Sequence, residues 1–562
     1  MLYLPINGLR LLAIETGILA ATFAICLLGW RFLPCLSQPR WLSWLLAEQW
    51  RAVLFVIVAA LIGRALLLPM LGVPSPHVDD EYSYLLMADT FAHHRLTNPT
   101  PQLWQHFETF HVNITPSYHS KYPVSQGLAL ALGEMMFHQP WIGVYLSTAL
   151  MCGAICWALQ AFLPAIWALA GGLLAVLRIA LFSYWMNSYW GGSVAALGGA
   201  LAIGALARVL EQNNTPRRRA ILASTFALAL LILATSRPYE GFAFAAPLVG
   251  WFIYKAFRQA KLGKRLLAST VVPAVIVGAA GLMMMGYYNL RTTGNPLLLP
   301  HILNERTYSP LPLFVWQRPK TNFTFRDPVF AKFYFITESV YGYNETNSTS
   351  RLIGSTFSRF LSSWFFYVGP ALSFPVLLGV FVALKEPRAR IVALAALSMA
   401  IALALCIYTM QHYAAPATVV VYLFAAQGLH YLWAQRGTVE RAFVMAVCLT
   451  VAITSLLRLT PSAAMNSTFA NVDIRKFVEQ HLDSKPEKQL VLVSYDLERH
   501  YPGNELVHNW ADFDSARILW ARSKGLESDK ELCQAYSDRH FWSIYTDDVN
   551  FSLTPIDLCQ HP

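Results

Sequence analysis

The chain has 562 residues, 56% of them hydrophobic and only 13% charged, against roughly 25% charged in ordinary soluble domains. Apolar runs of about 20 residues recur along most of its length, which is what a helix needs to cross a hydrocarbon core about 30 Å thick. The net charge of +10 would suggest nucleic acid in a soluble protein, but much of the Lys and Arg falls in short loops between apolar runs, where it reports orientation, and no basic, aromatic-interleaved nucleic-acid surface is evident.

Backbone groups inside lipid must bond to one another, so the apolar runs are read as helices. The first, 11–30, follows Arg10 and has no small-residue cleavage site after it, so it is read as a retained span rather than a signal peptide. Eleven more are expected at 52–73, 141–162, 164–183, 192–210, 220–236, 241–256, 266–288, 363–384, 390–409, 414–434 and 441–458. Alternating the sides places Arg31, Arg40 and Arg51, Arg208 and Arg217 to Arg219, Lys255 to Arg265, Lys385 to Arg390, and Arg436 with Arg441 on one face. That face is cytoplasmic by the positive-inside rule. The short opposite loops near Ser188, Tyr239 and Gln411 carry only Arg237. The two long loops, 74–140 and 289–362, and the tail from 460 are then extracytoplasmic, in a membrane read as a bacterial inner (plasma) membrane.

The fold class expected is thus an all-α polytopic membrane protein of about twelve transmembrane helices over 1–459, with a small α/β domain over 460–562. In that domain 472–481 has helical periodicity, 489–495 alternates as a buried strand and 541–545 is a second strand. Cys533 and Cys559 share the tail, and an extracytoplasmic tail would permit a disulfide between them. The cysteines inside apolar runs are packing residues, and no metal-type Cys/His spacing is present.

The chemistry-bearing residues lie between the spans. Directly after the second span stand Asp79, Asp80 and Glu81. They suit a helix start, with Asp79 as the N-cap and the next two acids complementing the helix dipole. They suit equally a general base at the lipid surface, or oxygen ligands for Mg²⁺ or Mn²⁺. The rest of that loop is rich in polar and aromatic groups, including His106, Glu108, His111, Lys121 and Tyr122, which fit sugars and phosphates but also fit a membrane interface. From Lys121-Tyr-Pro the chain enters an apolar stretch ending near Phe137, too short for a span and read as a re-entrant or surface helix.

Tyr184-Trp-Met-Asn-Ser-Tyr-Trp-Gly-Gly192 makes a short loop carrying Asn187 and Tyr189. Ser236-Arg-Pro-Tyr-Glu-Gly241 puts Arg237 and Glu240 in a hydrophobic region, and Arg178 lies inside the fourth span. Such charges either pair internally or meet a ligand. Tyr287-Tyr-Asn-Leu-Arg-Thr-Thr-Gly-Asn-Pro296 carries a turn signal with Asn295, and His412-Tyr413 sits between two spans.

An acidic pair beyond an early span, a loop entering a Tyr-Pro helix, hairpins of spans and a polar tail together resemble the C-type (GT-C) membrane glycosyltransferases, which use polyprenyl-phosphate sugars. The likeness is greatest to the bacterial branch of protein mannosyltransferases and aminoarabinose transferases, family 39, over about residues 50–435. It implies that Asp80 is the catalytic base, with Asp79 and Glu81 as rivals. It also implies that Arg237 meets the lipid phosphate, helped by Lys121 and Tyr122 and with Glu240 and Arg178 nearby. His106, Glu108, His111, Asn187, Tyr189, Asn295, His412 and Tyr413 would line the cavity. Where relatives carry a second acid this chain has Asn187 and Tyr189, which weakens a metal-bridged mechanism. The reaction implied is an inverting transfer to an envelope glycan, lipid or protein. The rival readings are a transporter or lipid flippase, for which no internal repeat is found, and a non-catalytic envelope assembly protein.

Overall fold

The computed structural model describes residues 4–30, 39–209, 211, 213–260, 264–458 and 470–558. Each of the twelve expected spans falls on a helix. Among the described residues seven helices are by themselves long and apolar enough to cross a bilayer, or eight if one bent pair is counted as a single span. The others fall short for local reasons. Ala165–Ala175 runs into a π-turn at Val176–Ala180, Ser193–Val209 has only 17 residues, and Pro216–Ala234 opens on Arg217, Arg218 and Arg219. Pro238–Ala260 carries Glu240, Lys255 and Arg258.

The ninth expected span, 363–384, needs correction. Its first residues belong to the amphipathic helix Thr349–Tyr367, which turns by 98° into the apolar helix Gly369–Ala383. Gly369 makes the turn with φ +65, and a Cβ there would lie 2.1 Å from Arg178 Nη2. Gly369–Ala383 and Thr418–Ala434 then approach closely through facing glycines: a Cβ on Gly379 would meet Phe424 O at 1.8 Å, and one on Gly428 would meet Pro375 O at 2.0 Å. Small residues of this kind let apolar helices gain backbone contact where lipid supplies no hydrophobic drive. The stretch after Tyr122 forms a 14-residue helix, Val124–Phe137, about 21 Å long and too short to span.

The tail is α/β, as its periodicity indicates. Strand β3 (Lys488–Tyr495) lies between β4 (Ile518–Arg522) and β5 (Arg539–Thr546), parallel to both, and β6 (Phe551–Ile556) runs antiparallel to β5. The helices Ala470–Asp483 and Leu526–Ala535 accompany the sheet. Strand β3 is buried almost throughout, as expected of a parallel strand covered on both faces. Much of that cover comes from the long loops. Phe110, Tyr308 and Phe330 pack with Val491, Val493 and Trp520, while Leu86, Phe107 and Tyr118 pack with Leu490, Leu519 and Phe541. The tail therefore shares its core with the loops that carry the candidate site. Cys533 is disulfide-bonded; Cys559, Arg31 and the 459/460 boundary lie outside the described residues.

Candidate active site

The three consecutive acids open the helix Asp79–Ala92, whose N-cap is Val78 rather than Asp79. Successive residues on a helix point about 100° apart, so the trio diverges. Glu81 Oε2 turns back to accept from the backbone N–H of His77 (2.7 Å) and Val78 (3.3 Å), and its Oε1 accepts from Tyr189 N–H at 2.8 Å. It locks the helix start to the loop after the fourth span. Asp79 faces the tail, 3.2 Å from His508 Nε2. Burial pushes the Asp79 carboxyl well above the usual range, with the neighbouring Glu505 and Asp80 charges adding to it, and burial pushes His508 well below its own.

Asp80 faces neither partner. Its Oδ1 accepts the hydroxyl proton of Tyr122, and its Oδ2 stands 3.7 Å from His111 Nε2. The local fold explains this grouping. The short strands β1 (Val112–Asn113) and β2 (His119–Ser120) pair antiparallel, which sets His111 and Lys121 side by side, with Lys121 N–H donating to His111 O at 3.0 Å. His111 is left-handed at φ +61, held by a second donor on the same carbonyl, Ser83 Oγ, at 2.6 Å. Tyr122 and Pro123 then start Val124–Phe137. Burial first, and Lys121 second, lower His111 to about 4, so its ring is neutral at pH 7. Burial and the Asp80 charge keep the Tyr122 phenol well above its ordinary value, so it remains a donor.

Arg237 reaches the same place from the tight turn between Pro216–Ala234 and Pro238–Ala260. Ser125 binds that turn, its N–H donating to Thr235 O at 2.9 Å and its hydroxyl 2.6 Å from Thr235 Oγ1. The Arg237 guanidinium lies over the Tyr413 ring, 4.1 Å from its centroid, and makes no ion pair with Glu240 among the described residues. A cation on an aromatic face keeps hydrogen-bonding edges for a ligand.

Asp80, His111, Lys121, Tyr122, Arg237, Glu240 and Tyr413 all line one cavity of about 1490 Å³, as do Asn187 and the buried Asp79 and Glu81. Its remaining wall is largely apolar, with Leu128, Leu231 and Met284 among its residues.

Several expected lining residues stand elsewhere. Arg178 is a structural cation: its Nη1 is 3.0 Å from Glu15 Oε2, and it also donates to the carbonyls of Phe365 and Phe366. His106 points into the tail interface, 2.8 Å from Arg522 O and 2.9 Å from Ser528 Oγ. Glu108 binds Tyr308 and Arg326 beside a separate, smaller recess. Tyr189 is buried with its hydroxyl donating to Pro74 O, and Asn295 closes a turn by accepting from Leu297 N–H. His412 supports the wall from behind through Tyr184 at 2.9 Å. Asn187, although it lines the cavity, spends its carbonyl on Arg64 Nε at 3.0 Å.

The divergence of the acids also bears on a metal. Among the described residues no group of three or more His, Cys, Asp or Glu side chains converges on one point. Asp79 and Glu81 are turned to protein partners, so the three acids do not together form a ligand set, and Asp80 is the one of them left to offer an oxygen to Mg²⁺ or Mn²⁺.

Other cavity groups escaped notice in the sequence. Glu305 and His301 come from the helix Pro300–Tyr308 and Glu338 from the π-turn Phe333–Glu338; Tyr408 precedes His412, and Tyr501 comes from the tail. Lys121 pairs with Glu305 at 3.6 Å. Burial raises Glu338 to about 8, with Lys121 opposing and the Glu305 and Asp80 charges adding. Each is a lone acid or aromatic in a polar loop, with no local pattern to mark it.

No protein-family model matches the chain, and no curated protein matches it. Solved structures do resemble it. ArnT from Cupriavidus metallidurans in the apo state aligns with TM-score 0.53 and 14% identity over 88% of this chain and 93% of that one. The same protein bound to undecaprenyl phosphate aligns at 0.51 and 14% over 90% and 94%. An oligosaccharyltransferase from Archaeoglobus fulgidus aligns at 0.49 and 11% over 81% of this chain and 61% of its own. The chain is an integral, multi-pass membrane protein with the GT-C fold.

Proposed function

We propose that this chain is a glycosyltransferase that moves a sugar from a polyprenyl-phosphate donor to an acceptor hydroxyl on the extracytoplasmic side of the membrane. The observation that carries the reading is the placement of Asp80. All three adjacent acids touch the cavity that holds Arg237, but Glu81 is spent on backbone N–H groups and Asp79 stands against His508, whereas Asp80 meets only Tyr122 and His111 of the cavity wall; the remaining wall is apolar helix surface suited to a lipid tail. The ArnT structure bound to undecaprenyl phosphate has this fold and supports a lipid-phosphate donor.

In the reaction proposed, the acceptor oxygen attacks the anomeric carbon from the face opposite the phosphate. The new C–O bond forms as the old bond to phosphate oxygen breaks, and the configuration inverts. Asp80 takes the acceptor proton, with Tyr122 and neutral His111 fixing its carboxylate. The electron pair of the broken bond leaves on polyprenyl phosphate, whose growing charge Arg237 stabilises. Lys121, already paired with Glu305, adds positive potential nearby. No step is routed through a metal.

The decisive measurement is transfer from labelled polyprenyl-phosphate sugar by the purified chain in detergent. Asp80→Asn is expected to lower turnover by at least about 10²-fold, as loss of a general base does, while leaving donor binding intact. Wild-type turnover in that variant would remove Asp80 as the base.

A further inference from the structure

The bend between Thr349–Tyr367 and Gly369–Ala383 leaves an amphipathic helix beside the cavity with one face uncovered. Ile353, Phe357, Phe360 and Leu361 recur at helical spacing. All four are exposed, Phe357 at 65%, so none of the described residues covers this face. Arg359, Ser362 and Tyr367 turn instead to the protein and hold one segment of the cavity wall. Arg359 Nη1 donates to the carbonyls of Cys406 (2.8 Å) and Ile407 (3.1 Å), Gln411 Nε2 donates to Ser362 Oγ at 2.8 Å, and the Tyr367 hydroxyl donates to Gln411 O at 2.8 Å. Cys406, Ile407 and Gln411 line the cavity just before Tyr413, the ring beneath Arg237.

The bend is braced from several directions. The last carbonyls of a helix have no partner within it. Here Arg178 donates to those of Phe365 (2.5 Å) and Phe366 (3.3 Å), and the Tyr422 hydroxyl donates to that of Tyr367 at 3.3 Å. Trp364 Nε1 reaches across the bend to Ser373 Oγ at 2.9 Å. The packed spans therefore fix the angle of 98°.

That angle sets the depth of the exposed face. Gly369–Ala383 has 15 residues, which makes it about 22 Å long, about 8 Å short of a hydrocarbon core about 30 Å thick. Lys385 and Glu386 follow its end and stay at the opposite interface, since charge inside lipid is costly. Taken along the membrane normal, the helix puts its bend about 8 Å inside the near boundary, and Thr349–Tyr367 runs along the membrane at that level. Helices that lie in an interface bury their apolar face by about 5–10 Å. Thr349–Tyr367 carries two arginines and no acid, the sign of charge that headgroup phosphates attract.

We propose that Thr349–Tyr367 is seated in the bilayer interface on the cavity side. Its face of Ile353, Phe357, Phe360 and Leu361 lies against acyl chains, while its other side carries the cavity wall at 406–411. The occupant of the face is lipid, because the face is continuous with a membrane helix and lies at the level which that helix sets. The inference is independent of the reaction assigned to the cavity.

The test uses the full chain, one copy per nanodisc of phosphatidylcholine and phosphatidylglycerol, with the fluorophore NBD attached at Phe357→Cys or at Ser358→Cys. Ser358 is also exposed, about 100° around the helix from Phe357. Neither change removes a packed side chain, and the wild type labelled in parallel gives the signal of the native cysteines. Quenching is read with a lipid carrying a nitroxide high on its acyl chain and with aqueous iodide. At Phe357→Cys the emission should shift to the blue, and nitroxide lipid should quench several-fold more than iodide. At Ser358→Cys iodide should quench more. Ile353→Cys, one turn earlier on the same face, should repeat the result at Phe357→Cys. Equal iodide quenching at Phe357→Cys and Ser358→Cys puts the face in water, shielding of Phe357→Cys from both quenchers puts it under protein, and lipid quenching at both positions immerses the whole helix. Each of these three outcomes overturns the proposal.

Discussion

His508, in the tail, stands 3.2 Å from Asp79 at the start of the acidic helix and stacks on Tyr82 with ring centroids 4.0 Å apart. The neighbouring residue on that helix is Asp80, so the tail helps fix the helix that presents the proposed base. Replacing His508 by Ala removes the ring stacked on Tyr82 and leaves a void beside the buried Asp79 carboxyl, and about 1–3 kcal/mol of stability should be lost. Because the helix start can then shift, kcat should fall while donor KM stays near wild type. Thermal unfolding and steady-state kinetics on the same preparation check both. A fall in donor KM alone would show that His508 does not act through Asp80.

Arg237 lies over Tyr413 at 4.1 Å and makes no ion pair among the described residues. Arg237→Ala should raise donor KM by about 10- to 100-fold, the scale of a lost hydrogen bond to a charged group. Arg237→Lys should recover part of the loss, since an ammonium keeps the charge but not the flat stacking face or the paired donors. Titrating a polyprenyl-phosphate sugar against the three proteins measures this, and equal KM values would place the phosphate elsewhere.

His111 gives a pH dependence with a definite sign. Its folded value is lowered to about 4, by burial first and Lys121 second, whereas an unfolded histidine titrates near 6.5. Between those values the unfolded chain binds the extra proton, so acid favours unfolding there. The contribution of neutral His111 is present above about 6.5 and falls as pH drops toward 4. Melting temperature in detergent should therefore decrease from pH 7 to pH 5, and less steeply in His111→Gln. Parallel curves for the two proteins would contradict the burial of a neutral ring.

The pair Arg178–Glu15 is a structural tie. Both side chains are buried, 3.0 Å apart, and Arg178 also holds the carbonyls at the end of Thr349–Tyr367. Arg178→Ala strands Glu15 and should destabilise the chain by about 3–5 kcal/mol. Replacing both members by Met should cost much less. Donor KM should be unchanged in whichever variants fold, and a rise in KM for the double variant would return Arg178 to the phosphate site.

How far the sequence carries depends on the range of the interaction. Apolar length alone locates the helices, because a helix in lipid satisfies its own backbone and needs only enough hydrophobic residues in a row. The strand at Lys488–Tyr495 is legible as a short apolar run, a property of neighbours, but its alternation does not hold, because remote segments cover both of its faces. The 98° turn at Val368 is less visible, since Thr349–Tyr367 and Gly369–Ala383 are both rich in apolar residues and differ mainly in amphipathicity.

The site divides along the same line. Asp79, Asp80 and Glu81 are conspicuous as a run, and Arg237 as a charge among apolar residues, so sequence alone marks both places. Which acid is left to the cavity is decided by the partners that engage the other two, Tyr189 for Glu81 and His508 for Asp79. Those partners lie 108 and 429 positions away along the chain. Tertiary structure likewise consigned Arg178 to Glu15 and brought in Glu305, Glu338 and Tyr501, which carry no local signature. Composition and charge placement determined that this chain is a bundle of membrane helices with polar loops, because partition into lipid acts on each segment separately. Only the packed structure decided which polar groups share a cavity, because direction and distance between side chains are set by contacts between segments remote in sequence.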